Sequence, residues 1–180
     1  MRVALFGGSF NPPHVGHLLA ATYVRATQGV DQVWWVPAAN HPFGKPLTAF
    51  EHRLAMCRAI AADTSGWLKV SPVEQELGGE GRTVDMLEHL TAAHPGVAFT
   101  FVIGSDILKD LPHWKNVERI RELATLLVLH RAGHPAPGAV GPPLVEVSST
   151  GIREKLARGE DVSDLVPRRA LEYALANGIY

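Results

Sequence analysis

Short apolar runs alternate with longer amphipathic ones along the chain, and this alternation predicts the fold class. The apolar runs are rich in Val, Ile, Phe and Trp and suit strands buried on both faces; they cover residues 3–6, 32–36, 68–71, 99–103, 125–129 and 144–147. Apolar residues recur at helical spacing between and after these runs, over residues 15–27, 48–62, 84–93, 114–123, 149–158 and 163–176. The pattern predicts a parallel sheet with helices on both faces.

The length of the chain fits one domain. A chain of 180 residues buries a sizeable core without dividing. The Pro- and Gly-rich stretch 132–143 indicates a surface loop, because too little chain follows it to fold alone. We therefore predict a single domain over residues 1–180, a Rossmann-like doubly wound α/β sheet. Ligands of such sheets bind at the carboxyl ends of the strands, so a site is expected after positions 6, 36, 103 and 147.

Composition and charge say more about the partners and location of the protein than about its chemistry. The hydrophobic fraction is 46% and the net charge is −1, so no global basic field favours nucleic acid or an acidic membrane as a partner. The apolar N-terminus is too short for a signal peptide, and no run approaches the ~18 residues of a spanning helix. We expect a cytoplasmic protein. The sequence leaves open whether it forms a homo-oligomer. The single Cys57 excludes an intramolecular disulfide and is expected to be a buried thiol.

The loop after the first predicted strand has the composition of a phosphate site. It reads Gly-Gly-Ser-Phe-Asn-Pro-Pro-His-Val-Gly-His over residues 7–17. The glycines let backbone amides approach a ligand, and the prolines place the next helix start near His14, where free N–H groups favour a phosphate. His14 and His17 lie on the same side of the first turn, and Gly16 between them keeps that side open.

The loop does not match a plain glycine turn, a zinc-protease motif or the common nucleotide-binding fingerprints. A glycine turn between strand and helix is common, but it does not account for two histidines. The zinc-protease pattern needs histidines four apart with an adjacent Glu, and the dinucleotide and P-loop fingerprints need glycines that are absent. We therefore name no metal ligand.

A second polar string follows the last predicted strand. Ser148, Ser149 and Thr150 precede a helix that carries Arg153 one turn inside. A helix cap explains one hydroxyl, but it does not explain three hydroxyls and an Arg. Together with backbone amides they can cradle a polyphosphate, with Arg153 as a bidentate clamp.

Both strings resemble motifs of the nucleotidyltransferase superfamily. The first is similar to its His-x-Gly-His signature and the second to its Ser-Ser-Thr-x-Ile-Arg motif. The resemblance implies adenylyl transfer from ATP, with His14, His17, Lys45 and Arg153 as the catalytic set. It implies that ATP contacts Gly7, Gly8, Ser9, Phe10, Gly16, His17, Gly104, Asp106, Ser148, Ser149, Thr150 and Arg153.

The absence of an obvious acid/base dyad agrees with this reaction. The second ionisation of a phosphate monoester lies near pH ~6, so an acceptor phosphate is already anionic at neutral pH. The task is to align two anions and to neutralise charge, for which cations and strong donors suffice. Mg²⁺ is expected to arrive with ATP.

Further segments resemble bacterial nicotinate-nucleotide adenylyltransferases over nearly the whole chain. They are residues 33–37 with Lys45 and 51–56, residues 81–87, residues 101–106 with Trp114, and residues 165–167 with 178–180. The resemblance implies that nicotinate mononucleotide is the acceptor and deamido-NAD the product. It implies a pyridine-nucleotide site of Lys45, Arg82, Thr83, Asp106 and Trp114, with the ring stacked on Trp114 and the ring carboxylate at loop 81–83.

The sequence also departs from that family at two positions. Gly44 stands where a basic residue is usual, although His41 offers another donor, and Arg82 stands where a ring is usual. The alternatives are therefore another acceptor (nicotinamide mononucleotide, phosphopantetheine or another phosphorylated metabolite) or a nucleotide-binding regulator without turnover. A structural role for Trp114 as a helix-start aromatic and for Asp106 as a cap also stays open.

Overall fold

Six strands form one sheet in which every neighbouring pair is parallel. A computed structural model of the chain describes residues 1–40, 44, 46–78, 81–144 and 146–180, with the backbone alone at Leu144. The strands are β1 (Arg2–Gly8), β2 (Gln32–Pro37), β3 (Leu68–Val70), β4 (Ala98–Gly104), β5 (Ala124–Arg131) and β6 (Val140–Leu144). Their order is β3-β2-β1-β4-β5-β6. This is the doubly wound Rossmann order, and the predicted fold class is confirmed.

Helices connect the strands and cover both faces of the sheet. They are α1 (Val15–Thr27), α2 (Phe50–Ala61), α3 (Val73–Leu77), α4 (Thr83–Ala93), α5 (Val117–Leu123), α6 (Ser149–Ala157) and α7 (Arg168–Ala176). Two 3₁₀ turns, Ser105–Ile107 and Leu111–His113, follow β4. Among the described residues, no helix combines the length and the apolar character needed to cross a membrane.

The central strand β1 shows why both faces are buried. Ala4 packs into a core built with α1, α2, α6 and α7, while Val3 and Leu5 point to a second core built with α4 and α5. Successive strand residues face opposite sides, so an apolar run supplies both cores. Cys57 is fully buried in the first core as a free thiol, as predicted.

The sixth strand lies earlier in the chain than predicted. We expected a strand at 144–147 and a loop over 132–143, but β6 spans Val140–Leu144 and includes two prolines. Proline lacks a backbone N–H and is tolerated on an edge strand, which β6 is. The short helix α3 was not predicted because its five residues are too few to show a period.

Two helices begin three or more residues later than their apolar pattern predicts. The helix expected from residue 114 starts at Val117, because Trp114 is extended and Asn116 has a left-handed φ of 53°. The helix expected from residue 163 starts at Arg168, since Pro167 disfavours helical geometry in the residue before it. Trp114 therefore lies in a loop.

The strand order fixes where a ligand can lie. The chain leaves β1 toward one side of the sheet and β4 toward the other, so their carboxyl ends open a crevice between diverging loops. The loops after β1 and β4 and the start of α6 meet there.

Candidate active site

A cleft of about 980 Å³ opens at the carboxyl ends of β1, β4 and β5. Nearly all of the predicted site residues line it: Gly7, Gly8, Ser9, His14, Gly16, His17, Arg82, Thr83, Gly104, Asp106, Trp114, Ser148, Ser149, Thr150 and Arg153. Two predictions are not met by this list. Phe10 lies elsewhere, and Lys45, like His41, falls outside the described residues.

The two histidines form a stacked and hydrogen-bonded pair at the start of α1. The backbone N–H of His14 donates to Nδ1 of His17 over 3.1 Å, and the ring centroids are 3.7 Å apart. Because Nδ1 of His17 accepts, the proton of its neutral ring resides on Nε2. His17 therefore brings an N–H donor to the cleft that it lines.

Burial keeps both histidines neutral. Desolvation, with the nearby Arg131 guanidinium, lowers the pKa of His14 to about 4. Desolvation, followed by His14 and Arg131, lowers the pKa of His17 well below its ordinary value. The sequence suggested cationic residues or strong donors here, and the structure favours the neutral donor.

Phe10 differs from the sequence expectation. Its side chain is fully buried, with its ring 4.7 Å from that of His17 and 5.0 Å from that of Trp35. The ring contributes support beneath His17 and does not reach the cleft. The Phe10 ring packs into the core, although it belongs to a loop, because burying a large apolar side chain is favourable in free energy.

The second polar string is attached directly to the first. The hydroxyl of Ser149 donates to the carbonyl of Pro12 over 2.9 Å, and Nη1 of Arg153 donates to the carbonyl of Asn11 over 2.6 Å. The Tyr180 hydroxyl donates to Oδ1 of Asn11 over 2.6 Å. Residues from the end of the sequence thus fix the loop that follows the first strand.

The hydroxyls of this string have different partners. Ser148 is the N-cap of α6, and its Oγ accepts from the N–H of Gly151 over 3.1 Å. Nη2 of Arg153 lies 3.3 Å from Oγ1 of Thr150. The capping interpretation is therefore correct for Ser148, and Arg153 is held in place at the cleft wall.

Asp106 lies at the end of β4 beside a cation that the sequence analysis did not single out. Its Oδ2 is 3.6 Å from Nε of Arg131, and its Oδ1 is buried with no hydrogen-bond partner among the described residues. A Cβ on Gly104 would collide with that Oδ1. Arg131 ends β5, and the rule that sites lie at strand ends would have found it had the strand been predicted to its true end.

The other end of the cleft is apolar and aromatic. Trp114 contacts Phe101 edge to face, with ring centroids 6.1 Å apart. Met86 lines the cleft nearby on α4. Arg82 and Thr83 stand at the start of α4, where no side-chain cap occupies the helix N–H groups. A flat ring with an anionic substituent fits these surfaces.

Two ionisable residues near the cleft, the half-buried Glu74 and the buried Arg53, were not predicted. Oε2 of Glu74 accepts from the N–H of Ala39 over 3.1 Å, and burial raises the pKa of Glu74 to about 7. Arg53 is 1% exposed and donates to backbone carbonyls. The sequence contains a sign that Arg53 is buried. It lies three residues after Phe50 and four before Cys57, and so on the apolar face of α2.

The described residues supply no metal cluster of their own. No group of three or more His, Cys, Asp or Glu side chains in those parts of the chain lies close enough to hold an ion.

Comparison with known proteins gives a consistent result. A family model described as cytidylyltransferase-like matches residues 5–155. A curated protein of Myxococcus xanthus, called a probable nicotinate-nucleotide adenylyltransferase, is 63% identical over 180 residues, covering 100% of this chain and 95% of that protein. A relative with the same name from Anaeromyxobacter dehalogenans is 52% identical, covering 99% and 96%.

A solved structure shares the fold at lower identity. The nicotinic acid mononucleotide adenylyltransferase of Plasmodium falciparum, complexed with NaAD, superposes with a TM-score of 0.80 at 20% identity. The match covers 99% of this chain and 97% of the other.

Proposed function

The chain belongs to the nicotinate-nucleotide adenylyltransferases of the cytidylyltransferase-like family, and we propose that it transfers the adenylyl group of ATP to nicotinate mononucleotide. An oxygen of the mononucleotide phosphate bonds to the α-phosphorus of ATP while the bond to the bridging oxygen of pyrophosphate breaks. The products are deamido-NAD, a precursor in NAD biosynthesis, and pyrophosphate. The whole chain, residues 1–180, acts as one nucleotidyltransferase domain.

The two-ended character of the cleft carries this proposal. One end has a glycine strand end, neutral histidine donors and Arg153, which suit a triphosphate. The other has Trp114 with an uncapped helix start at Thr83, which suits a flat ring bearing a carboxylate. A pocket for one nucleotide would need only the first end.

The chemistry follows from the protonation states. The acceptor phosphate is anionic at neutral pH and needs no general base, so the protein's task is alignment and charge stabilisation. The Nε2–H of His17 donates to an α-phosphate oxygen as negative charge moves onto the leaving pyrophosphate. Arg153, held against the loop after β1, binds the polyphosphate, and Lys45 adds a positive charge from the segment after β2.

Asp106 and Trp114 are assigned to nucleotide recognition. Oδ1 of Asp106 is buried and accepts no hydrogen bond from the described residues, and a ribose hydroxyl can donate one to it. Trp114 provides a low-entropy platform for the pyridine ring, while Arg82 and the first turn of α4 receive the ring carboxylate. The remaining ATP contacts are with the glycines and hydroxyls that line the cleft.

Mg²⁺ enters as an ion carried on ATP. When bound, it would neutralise charge on the triphosphate, held by phosphate oxygens and water. A cytoplasmic location stays a prediction from the sequence, and the sequence leaves open whether the protein forms a homo-oligomer.

A direct test separates the acceptors. The protein is incubated with ATP and Mg²⁺ plus either nicotinate or nicotinamide mononucleotide, and pyrophosphate and dinucleotide are followed by chromatography. Strong preference for the nicotinate form is the expected result. Preference for the nicotinamide form would reassign the acceptor, and ATP binding without turnover on any phosphorylated metabolite would favour a regulator.

A further inference from the structure

Arg53 is a charged side chain inside the core that does not line the cleft. It is 1% exposed and lies on the face of α2 that buries Phe50, Leu54 and Cys57. Its guanidinium also lies over the Phe50 ring, 5.3 Å from the centroid. Burying a charge is costly unless hydrogen bonds compensate it, so the partners of Arg53 indicate what the residue is for.

Those partners are backbone carbonyls from three separate stretches. Nε donates to Thr48, just before α2, over 2.8 Å. Nη1 donates to Ser9, in the loop after β1, and to Ala38, just after β2, over 2.8 Å each. Nη2 lies 3.4 Å from the carbonyl of Ala39. The planar guanidinium holds its donors in a fixed fork, which sets these stretches relative to one another.

Two of the stretches are walls of the site. Ser9 and Ala38 line the cleft, and the N–H of Ala38 donates to the carbonyl of Gly8 over 2.8 Å. The next N–H, that of Ala39, donates to Glu74. The Ala38–Ala39 segment is thus held by Arg53 through its carbonyls and by β1 and α3 through its amides.

The same guanidinium also joins two points on either side of Lys45 in the sequence. Ala39 precedes that residue and Thr48 follows it, and the carbonyls of both contact Arg53. The loop after β1, whose amides are proposed to bind the ATP phosphates, is attached to the same guanidinium through the carbonyl of Ser9. A single side chain therefore joins the loop proposed to bind ATP to the stretches that flank Lys45, a residue of the proposed pyridine-nucleotide site.

We propose that Arg53 is a positioning residue for adenylyl transfer, which fixes the loop after β1 against the Ala38–Ala39 segment and so aligns the acceptor phosphate with the α-phosphorus. This inference rests on the proposed function. Each substrate keeps its own contacts when Arg53 is replaced, but the alignment between them is lost. Misplacement by about 1 Å can cost on the order of 10²-fold in rate, so the effect falls on kcat.

The test compares Arg53→Lys and Arg53→Gln with Arg58→Gln, an exposed arginine on the same helix. For each folded variant, kcat and both KM values are measured, along with thermal unfolding and hydrogen exchange at the amides of Ala38 and Ala39. We expect kcat of Arg53→Lys to fall by about 10- to 100-fold with both KM values within about threefold. The two amides should exchange faster, the loss in Arg53→Gln should be larger, and Arg58→Gln should match the wild type.

Other outcomes overturn the proposal. Lower thermal stability with wild-type kcat and KM would make Arg53 a purely structural residue. A rise in one KM with kcat unchanged would assign it to the binding of that substrate alone. If the wild type makes no dinucleotide, the proposed function fails, and the exchange measurement still decides: unchanged exchange at Ala38 and Ala39 in Arg53→Lys rejects the positioning role.

Discussion

The backbone N–H of His14 donates to Nδ1 of His17 over 3.1 Å, so the helix start itself selects the tautomer of the second histidine. A proton on Nδ1 would break this bond and place a charge in a buried position. Both effects oppose protonation, in agreement with the lowered pKa of His17.

His17 should therefore stay neutral, with its proton on Nε2, at pH values where an ordinary histidine is half protonated. Nitrogen-15 NMR of histidine-labelled protein measures both the tautomer and the titration. A titration midpoint of His17 near the ordinary histidine pKa would contradict the assignment.

His17→Ala should lower kcat by a factor on the order of 10² or more, because a donor to transition-state charge is lost. Circular dichroism establishes that the variant is folded. His89→Ala, at an exposed position on α4, is the matched control and should keep wild-type turnover. Unchanged turnover in folded His17→Ala would reject its catalytic role.

Trp114→Ala should raise the KM for the pyridine mononucleotide and leave the KM for ATP nearly unchanged. The loss of a base-stacking ring is worth about 1–3 kcal/mol, so an increase of about tenfold is expected. Trp114→Phe should recover most of the affinity. Equal rises for the two substrates would show that Trp114 supports the fold, through Phe101, and does not bind the ring.

Glu74→Gln should stabilise the protein at pH 8 but not at pH 4.5. The pKa of Glu74 is raised from 4.5 to about 7, so the folded state binds its proton more tightly. Stability from this group is present below pH 4.5 and is lost as the pH rises through 7, by up to about 3 kcal/mol.

Urea unfolding at the two pH values measures the Glu74 effect. Arg53 already offsets part of the penalty, and the amide oxygen of the variant can still accept from Ala39. Glu76→Gln, at an exposed position on the same helix, should show no such pH dependence. A destabilised Glu74→Gln at pH 8 would mean that the charged form is the stabilising one.

Gly104→Ala should weaken ATP binding by about tenfold, because its Cβ displaces Oδ1 of Asp106 from the position proposed for a ribose contact. The backbone at Gly104 has φ −78°, which any residue adopts, so the fold should persist. Calorimetry with ATP measures the change, and Asp106→Asn provides the comparison. Wild-type affinity in Gly104→Ala would remove Asp106 from the nucleotide site.

The sequence was most informative about the sheet. Five strands were placed within a few residues because buried parallel strands are continuous apolar runs, whatever their neighbours. The sixth was displaced because Pro142 and Pro143 oppose a strand unless it is an edge, and edge position is a property of the whole sheet. The extended backbone at Trp114 likewise depends on the turns that precede it.

The parts of the site that lie at strand ends or in sequence motifs could be predicted. That reasoning placed most of the polar lining correctly, because parallel strands carry their carboxyl ends to one edge. It did not include Arg53, which has a signal in its apolar-face position on α2, but whose partners are carbonyls at positions 9, 38, 39 and 48. The raised pKa of Glu74 could not be predicted, because desolvation by segments distant in sequence leaves no local pattern.

The ties from Arg153, Ser149 and Tyr180 to Asn11 and Pro12 have a consequence for how the nucleotide site is built. The glycine and histidine loop follows the first strand, whereas the groups that fix it all come after the sixth. A chain cut after β6 would contain every strand of the described sheet but would lack the groups that hold this loop. The sheet alone is therefore not enough to build the nucleotide site.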